Sequence, residues 1–334
     1  MALVARTLGI DEAQWSETLD RYCRLVAPAA SVEQRLSALA AAFSPVAPHA
    51  AATPSAPAAI CVACGAPSVK PALAKRASPT VLVYGRCQEC GHGQRLAGPP
   101  LDGIYESDAY YRQRSPDGSG YDAYAAERHY REAKGARLLD ELQAQLASPP
   151  RSLLEVGSGF GYTLAAAAAR GWRTQGVDVN PEAARASKAI YGCETVVGTL
   201  APALADGRVA KGAWDVVLYQ FVLEHLADPA GELKSALEAL SPDGHLLLVV
   251  PSMTSFELDV FASSYRSLRA DHLHLFSARS LTKLLEAAGF GVVSSRSHCN
   301  LHLLEGLLEP AELQALYSAG RGPDLTVLAR RNMP

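Results

Sequence analysis

The sequence predicts an α/β fold in which helices alternate with the strands of a largely parallel sheet. The apolar run from Leu153 to Val156 leads into Gly157, Gly159 and Gly161, and a run of alanines follows these glycines. A second apolar segment ends in Asp178, seventeen residues after the last of them. A buried strand, a tight glycine turn and a helix packed closely on the sheet are typical of a doubly wound fold.

Asp178 is the first candidate for ligand binding. An acid at the end of the second strand lies beside the glycine loop and can accept hydrogen bonds from both ribose hydroxyls of a bound nucleoside. The glycine spacing is G-x-G-x-G and not the G-x-G-x-x-G of dinucleotide folds, which disfavours a nicotinamide dehydrogenase.

The composition argues against a membrane protein or a nucleic-acid-binding protein. With 334 residues, 49% of them hydrophobic, the chain can form about two or three domains. The net charge is −3 and there is no long basic run, so no nucleic-acid partner is expected. There is no stretch of about 18 uncharged apolar residues and no signal-peptide pattern, so we expect no membrane span and a cytoplasmic location.

Residues 1–45 are predicted to form an N-terminal helical segment. Apolar residues at helical spacing indicate two helices, the first capped by Asp11 or Ser16 and the second opened by Ser31. This segment would suit docking or formation of a homodimer. Residues 46–59 are rich in proline and alanine and are predicted to be an extended, mobile linker.

Two Cys-x-x-Cys pairs, Cys61 with Cys64 and Cys87 with Cys90, predict a metal site in residues 60–98. The chain has seven cysteines and no secretion signal, which favours reduced thiols and metal over disulfides. Four sulfur ligands form a closed tetrahedral site, so we interpret this segment as a small zinc-ribbon domain with a structural Zn²⁺. A redox dithiol and an iron–sulfur centre are the alternatives.

Metal binding is expected to supply the stability of this ribbon, because so small a segment cannot fold on an apolar core of its own. A strand is predicted at residues 80–84, between the two cysteine pairs. His92 follows the second pair and is expected to face solvent rather than to bind the metal.

Residues 101–148 are predicted to connect the ribbon to the sheet domain through one long helix, from about residue 121 to 146. This helix precedes the first strand of the sheet. Tyr110 and Tyr111 lie upstream of it and are candidates for lining a substrate pocket, and amphipathic surface packing is the alternative.

Residues 149–334 are predicted to form the sheet domain. Strands are predicted near 152–156, 174–179, 194–197, 214–219, 245–250, 291–296 and 324–330, and helices near 161–170, 181–190, 230–240, 279–288 and 301–317. The last two strands are expected to form a hairpin that contains a helical insertion.

Five motifs in this domain resemble, in their order, those of class I S-adenosylmethionine (SAM)-dependent methyltransferases. They are Leu-Glu-Val-Gly-Ser-Gly-Phe-Gly at 154–161, the acid Asp178, the strand at 214–220, Glu-His-Leu at 224–226 and Pro-Asp-Gly at 242–244. The resemblance covers roughly residues 150–297. It implies a Rossmann-like core of seven strands, mostly parallel with an antiparallel edge strand.

A zinc ribbon, a tyrosine pair, a long helix and such a core, in this order, resemble bacterial methyltransferases of natural-product and deoxysugar pathways. The resemblance implies that the helix of residues 121–146 forms a lid over the cofactor. The resemblance implies methyl transfer from SAM to a small-molecule or peptide-derived acceptor, and C-, N- and O-methylation all fit. The alternatives are a non-catalytic SAM-fold protein that serves interactions, and a methyltransferase that acts on a peptide, a protein or RNA. The lack of a basic patch disfavours RNA.

The resemblance also implies which residues hold SAM. Gly157, Gly159 and Gly161 allow close approach of the methionine part. Glu155 orients its ammonium group, and Asp178 binds the ribose hydroxyls. The other cofactor-binding candidates are Tyr162, Val179, Thr199, Leu200, Gln220 and Phe221, of which the last two are expected to face the sulfonium.

His225 is the leading candidate for a general base, because histidine titrates near neutral pH and this residue closely follows the fourth strand. Glu224 could orient it. His272 and His274 are second-rank candidates, since alternate positions of an extended segment share one face. A structural histidine bonded to a backbone carbonyl is the alternative for His225.

Overall fold

The computed structural model describes residues 10–27, 30–44, 57–77, 79–115, 117–122, 124–299 and 307–332, together with residue 55. The chain divides into two compact units. The first comprises Met1–Pro99, Pro251–Leu281 and Arg296–Leu325, and the second comprises Pro100–Val250, Thr282–Ser295 and Thr326–Pro334. No helix within the described ranges is long and apolar enough to span a membrane.

The secondary structure follows the predicted alternation of strands and helices. The described helices are α1 (Glu12–Leu25), α2 (Val32–Phe43), α3 (Arg128–Gln143), α4 (Tyr162–Ala168), α5 (Pro181–Tyr191), α6 (Leu200–Ala205), α7 (Pro229–Ala239), α8 (Phe256–Phe261), α9 (Ala278–Ala287) and α10 (Pro310–Ser318). The described strands are β1 (Val69–Ala77), β2 (Thr80–Cys87), β3 (Gly93–Ala97), β4 (Ser152–Val156), β5 (Arg173–Asp178), β6 (Thr195–Val197), β7 (Trp214–Gln220), β8 (Leu240–Pro251), β9 (His274–Leu275), β10 (Phe290–His298) and β11 (Asp324–Arg331).

A sheet of seven described strands, in the order β10-β11-β8-β7-β4-β5-β6, forms the centre of the Rossmann-like core. The neighbours β4–β5, β4–β7, β5–β6 and β7–β8 are parallel. Every residue of β4 is buried, as expected of a parallel strand that helices cover on both faces. The predicted α/β class, with a mostly parallel seven-stranded sheet, is therefore confirmed.

Helix α5 begins immediately after β5 because its first turn is capped. The side-chain oxygen of Asn180 accepts hydrogen bonds from the backbone N–H groups of Glu182 (2.8 Å) and Ala183 (3.3 Å). Pro181 occupies the first turn, and Gly192 ends the helix in a left-handed conformation. The cap fixes the short loop that follows Asp178.

The long helix predicted from 121 to 146 is shorter than expected, because α3 begins only at Arg128. Tyr124–Glu127 form a 3₁₀ turn instead, which carries the ring of Tyr124 into a buried aromatic cluster. Gly135 lets α3 approach α4 closely, since a Cβ at this position would lie 3.1 Å from the Cα of Thr163.

An antiparallel sheet of four described strands, β1-β2-β3-β9, contains the predicted ribbon. Leu82 and Tyr84 of β2 are fully buried in a cluster that includes Met253 and Tyr265. The hydroxyl of Tyr84 donates to the carbonyl of His272 (2.8 Å). The ribbon therefore shares an apolar core with other residues of the first unit rather than having a core of its own.

Both predicted N-terminal helices are present, and Asp11 and Ser31 each form a capping box. Helices α1 and α2 pack with α8 and α10 around a second apolar core of the first unit. Phe43 of α2 and Phe261 of α8 meet edge to face at 5.1 Å between ring centroids. The N-terminal helices thus contribute to the core of this unit.

The division into units differs from the predicted boundary at residue 149. Residues 251–281 group with the N-terminal part, because β9 pairs with β3 and α8 packs in the same core as α1 and α2. Apart from residues 55 and 57–59, the predicted linker 46–59 lies outside the described residues. The helix predicted at 301–317 begins at Pro310, and residues 301–306 also lie outside the described part.

Leu39→Ala tests the packing of α2. Leu39 is 3% exposed in the helical core of the first unit, so its truncation should lower the free energy of unfolding by about 2–5 kcal/mol. The midpoint of urea unfolding measures this change. Ser37→Ala, at an exposed position of the same helix, is the matched control and should leave the midpoint almost unchanged. Equal midpoints for the two variants would contradict the packing described for α2.

Candidate functional site

The glycine turn after β4 is hydrogen-bonded to the end of the neighbouring strand β5. The backbone N–H groups of Gly157 and Ser158 donate to the carbonyl of Val177, at 2.7 and 3.3 Å. Gly157, Gly159 and Gly161 all have positive φ, at 69°, 52° and 80°. The chain therefore turns sharply at the carboxyl end of the sheet, where open α/β sheets bind ligands.

Side chains cannot replace hydrogen at these glycines without displacing a neighbour. A Cβ at Gly159 would lie 2.8 Å from the hydroxyl of Tyr124. A Cβ at Gly157 would overlap the side chain of Val222, and one at Gly161 would overlap that of Ser187. The three glycines therefore let the side chains of Val222, Tyr124 and Ser187 pack directly against the backbone of the turn.

Asp178 is a buried carboxylate that the two adjoining loops hold in place. Its oxygens accept backbone hydrogen bonds from Gly159 (2.8 Å) and Asn180 (2.8 Å), and the hydroxyl of Tyr111 lies 3.4 Å away. Burial raises the pKa of the Asp178 carboxyl, and the hydrogen bonds from Asn180, Gly159 and Tyr111 oppose this effect. The acid is thus fixed between the glycine turn and the start of α5.

Glu155 lies on β4 and is 3% exposed. Burial raises the pKa of its carboxyl to about 8, against the opposing hydrogen bond from Thr163. Its Oε2 atom is buried and has no hydrogen-bond partner among the described residues. A buried acceptor without a partner is costly, so this oxygen fits a donor group of a bound ligand such as an ammonium.

A cavity of about 350 Å³ lies at this end of the sheet, within the second unit. It brings together most of the predicted cofactor-binding residues. On the side of β4 and β5 it is lined by Glu155, Gly157, Tyr162, Asp178 and Val179. On the side of β6 and β7 it is lined by Thr199, Leu200, Gln220 and Phe221.

Tyrosines form a further wall of the cavity. Tyr110 and Tyr111 are 9% and 8% exposed and meet edge to face at 5.3 Å between ring centroids. Tyr111 also stacks with Tyr121 and contacts Tyr124 at 4.8 Å. Both predicted pocket residues are therefore buried and line the cavity, which disfavours the alternative of surface packing.

His225 ends a 3₁₀ turn, Leu223–His225, that follows β7, and it also lines the cavity. Its Nδ1 atom lies 3.2 Å from the hydroxyl oxygen of Tyr105. Glu224, the predicted orienting residue, is fully buried and does not line the cavity.

His272 and His274 lie in the first unit and do not line the cavity. The Nδ1 of His272 is 2.9 Å from the carbonyl of Ser267, and that of His274 is 3.2 Å from Nε2 of His92. His92 is fully buried, and burial lowers its pKa to about 3. The expectation that His92 faces solvent is therefore wrong, because β9 pairs with β3 and brings His274 against it.

Several cavity residues were missed by the sequence reasoning. Arg131 and Lys134 of α3 line the cavity, and the Lys134 ammonium lies 4.2 Å from the ring centroid of Phe221. Because the two residues are three positions apart on a predicted helix, the sequence does indicate that they share one face.

Glu232 of α7 also lines the cavity. It accepts a hydrogen bond from the buried Tyr219 hydroxyl (2.9 Å), and burial raises the pKa of the Glu232 carboxyl. No local pattern marks it.

The four cysteines of the two pairs converge in the first unit. All four Sγ atoms lie within 4.8 Å of one another. The distance between Sγ atoms is 3.6 Å for Cys61 and Cys90 and 3.7 Å for Cys64 and Cys87. Four sulfurs at the usual zinc–sulfur bond length of about 2.3 Å would be about 3.8 Å apart. The cluster therefore fits a tetrahedral metal ion of that size.

The sequence profile of a family described as "Methyltransferase domain" matches residues 127–295. A ubiquinone biosynthesis O-methyltransferase of Xanthomonas campestris pv. campestris is 28% identical over an alignment of 138 residues, which covers 38% of this chain and 55% of that protein. The enzyme of the same name from Marinobacter nauticus is 29% identical over an alignment of 115 residues, which covers 33% of this chain and 48% of that protein. The chain thus spans about half the length of the curated relatives it matches.

Solved structures are similar at low identity. A SAM-dependent methyltransferase from Archaeoglobus fulgidus has a TM-score of 0.47 at 18% identity. The superposition covers 62% of this chain and 99% of that chain. The plantazolicin methyltransferase BpumL has a TM-score of 0.44 at 16% identity, over 63% of this chain and 86% of its own.

The profile match covers half of the sequence, and within it lie the glycine turn, the buried acid after the second core strand and the histidine turn after the fourth. The resemblance drawn from the motifs is confirmed: the chain belongs to the methyltransferase domain family.

Proposed function

We propose that the protein transfers a methyl group from SAM to a small-molecule acceptor in the cavity of the second unit. One observation carries this proposal. Glu155 and Asp178, on neighbouring parallel strands, line one cavity together with Gly157 of the glycine turn. Two acids that line one cavity suit the amino group and the ribose of one extended donor molecule.

The chain's own residues would hold this donor in a defined way. The Asp178 carboxylate, already fixed by two backbone N–H groups, would accept the ribose hydroxyls. The unpartnered oxygen of Glu155 would accept the ammonium. Val179, Thr199 and Leu200 would flank the adenine, and Gln220 and Phe221 would face the sulfonium. SAM supplies a methyl group on a cationic sulfur, so the protein's task is to position it against an acceptor and exclude water.

His225 is the residue that we propose as general base. It lines the cavity just after β7, and an acceptor hydroxyl or amine must lose a proton when it is methylated. Histidine is suited to this because its charge changes near neutral pH. The curated relatives are O-methyltransferases by name, so hydroxyl acceptors are the first to screen. A natural-product or sugar pathway remains part of the proposal.

We further propose that Cys61, Cys64, Cys87 and Cys90 hold a structural Zn²⁺. The sulfur spacing supports this, as does the left-handed glycine after each pair, Gly65 at φ 73° and Gly91 at φ 74°. Four thiolates close the coordination sphere, so the ion would tie two turns together and leave no position for catalysis.

Asp178→Asn tests the donor site. Each carboxylate oxygen accepts a hydrogen bond from a backbone N–H group, so the amide nitrogen of asparagine must face one of these donors. The substitution also removes the charge that would bind two hydroxyls. Hydrogen bonds to charged groups are worth about 1.5–3 kcal/mol, so SAM and S-adenosylhomocysteine should each bind at least about tenfold more weakly in calorimetric titrations. Asp243→Asn makes the same charge change at an exposed position of β8 and should bind as wild type. Equal affinities for all three proteins would refute the placement of the donor.

Gly157→Ala tests whether the donor molecule lies against the backbone of the glycine turn. A methyl group here is strained by the positive φ and also overlaps Val222. Gly171→Ala is the matched control, because Gly171 has φ 77° but open space around it. Gly171→Ala should lose about 1 kcal/mol of stability from backbone strain, and Gly157→Ala should lose more because its methyl group also meets Val222. Only Gly157→Ala should weaken binding of S-adenosylhomocysteine strongly. Unaltered binding by Gly157→Ala would show that this turn does not border the donor.

Metal analysis tests the cysteine cluster. The purified protein should contain one zinc ion per chain, and the Cys64→Ser, Cys87→Ser double variant should lose it. Because Leu82 and Tyr84 keep their apolar core, metal removal should speed hydrogen exchange at residues 61–65 and 87–91 more than in the middle of β2. Cys23→Ser, which alters an exposed thiol outside the cluster, should keep the full metal content. Zinc bound equally by the double variant would overturn the assignment.

A further inference from the structure

The segment of residues 105–112, which we call the strap, is tied to the loop that carries Asp178. The side-chain amide of Asn180 donates to the carbonyls of Tyr105 (2.7 Å) and Ser107 (3.0 Å). The oxygen of the same amide caps α5, so its orientation is fixed from both sides. The backbone of the strap is thereby held next to the cofactor acid.

The other end of the strap is held by the same loop. The hydroxyl of Tyr111 lies 3.4 Å from Asp178, and the guanidinium of Arg112 donates to Glu182 in the first turn of α5, at 3.0 Å from Nε. The exposed ion pair contributes little on its own. Together with the Asn180 bonds it places the strap in a single position along the cavity.

Tyr105 extends from this strap to His225. Its hydroxyl oxygen is 3.2 Å from Nδ1 of His225, and the two rings meet at 70° with 5.5 Å between centroids. The ring of Tyr110 contacts Tyr105 at 5.2 Å and limits its movement. Both Tyr105 and His225 line the cavity. The imidazole therefore receives a polar contact and a ring contact from one anchored side chain.

We propose that Tyr105 is a positioning residue for His225, and that its hydroxyl oxygen accepts a hydrogen bond from the Nδ1–H group of the imidazole. Neutral imidazole has one protonated and one unprotonated nitrogen, and the hydrogen bond at one nitrogen sets the state of the other. When the Nδ1–H group donates to the Tyr105 oxygen, Nε2 is the unprotonated nitrogen and can accept a proton. This inference rests on the proposed methyl transfer, in which His225 acts as the base.

The opposite hydrogen bond, from the tyrosine hydroxyl to Nδ1, would place the proton on Nε2 and leave His225 unable to act as a base there. The proposal therefore fixes a tautomer, which nuclear magnetic resonance measures directly. Long-range ¹H–¹⁵N correlation spectra of protein labelled at histidine distinguish the two forms, and the His225→Gln spectrum identifies the His225 signals.

The wild-type protein should show His225 mainly as the Nδ1–H tautomer. Tyr105→Phe keeps the ring contact and removes the oxygen, so the major form should change to the Nε2–H tautomer that imidazole favours in water. Asn180→Ser keeps a side-chain oxygen for the cap but lacks the amide N–H groups that hold the strap, so it should shift the tautomers in the same direction. An Nε2–H tautomer in the wild type, or identical spectra for wild type and Tyr105→Phe, would overturn the proposal.

Tyr130→Phe is the matched control for Tyr105→Phe. Tyr130 is 44% exposed on α3 and does not line the cavity, so its variant should give the wild-type His225 spectrum. A shift in this control equal to that of Tyr105→Phe would assign the effect to something other than the Tyr105 contact and would also overturn the proposal.

Titration with S-adenosylhomocysteine separates this inference from the proposed function. Tyr105→Phe should bind it as the wild type does, because Tyr105 acts on the base. With an acceptor found by screening, kcat should fall about tenfold, less than the roughly 100-fold or greater loss expected when the base itself is removed in His225→Ala. A wild-type protein that binds no S-adenosylhomocysteine would refute the proposed function, while the tautomer spectra would still decide the role of Tyr105.

Discussion

A carboxylate buried at the end of a parallel strand is the constraint around which the site is built. Asp178 is 5% exposed, and an isolated charge in such surroundings is costly. Backbone N–H groups of Gly159 and Asn180 offset this cost, and they can reach the acid only because the glycine turn and the start of α5 both lie beside the end of β5. The acid therefore specifies the conformation of both loops before any ligand arrives.

The loop after Asp178 also fixes the strap on the other side of the cavity. Asn180 holds the strap through its backbone, Tyr111 of the strap reaches Asp178, and Tyr105 reaches His225. The residues proposed for the donor and the residue proposed as base are thus connected by one short segment of chain. Such support is what positions reacting groups accurately, and it depends on rigid neighbours rather than on the reacting side chains themselves.

The local features of this site could be predicted from the sequence, and the long-range ones could not. Alternate glycines after an apolar run predict a tight turn, and an acid at the end of the next apolar run predicts a residue beside that turn. Both predictions need only the neighbouring residues of the sequence. Tyr105 and Glu232 line the cavity only because the tertiary fold brings the strap and α7 to it, and no sequence spacing predicts this. The burial of His92 also depends on a distant segment, because His274 of β9, which packs against it, lies 182 residues away in the sequence.

A crystal structure of the protein grown with S-adenosylhomocysteine tests the central claim most directly. The account predicts that both ribose hydroxyls lie within hydrogen-bond distance of the Asp178 carboxylate and that the amino group lies at Oε2 of Glu155. A ligand bound elsewhere on the chain, or bound in this cavity without contact to either carboxylate, would contradict it.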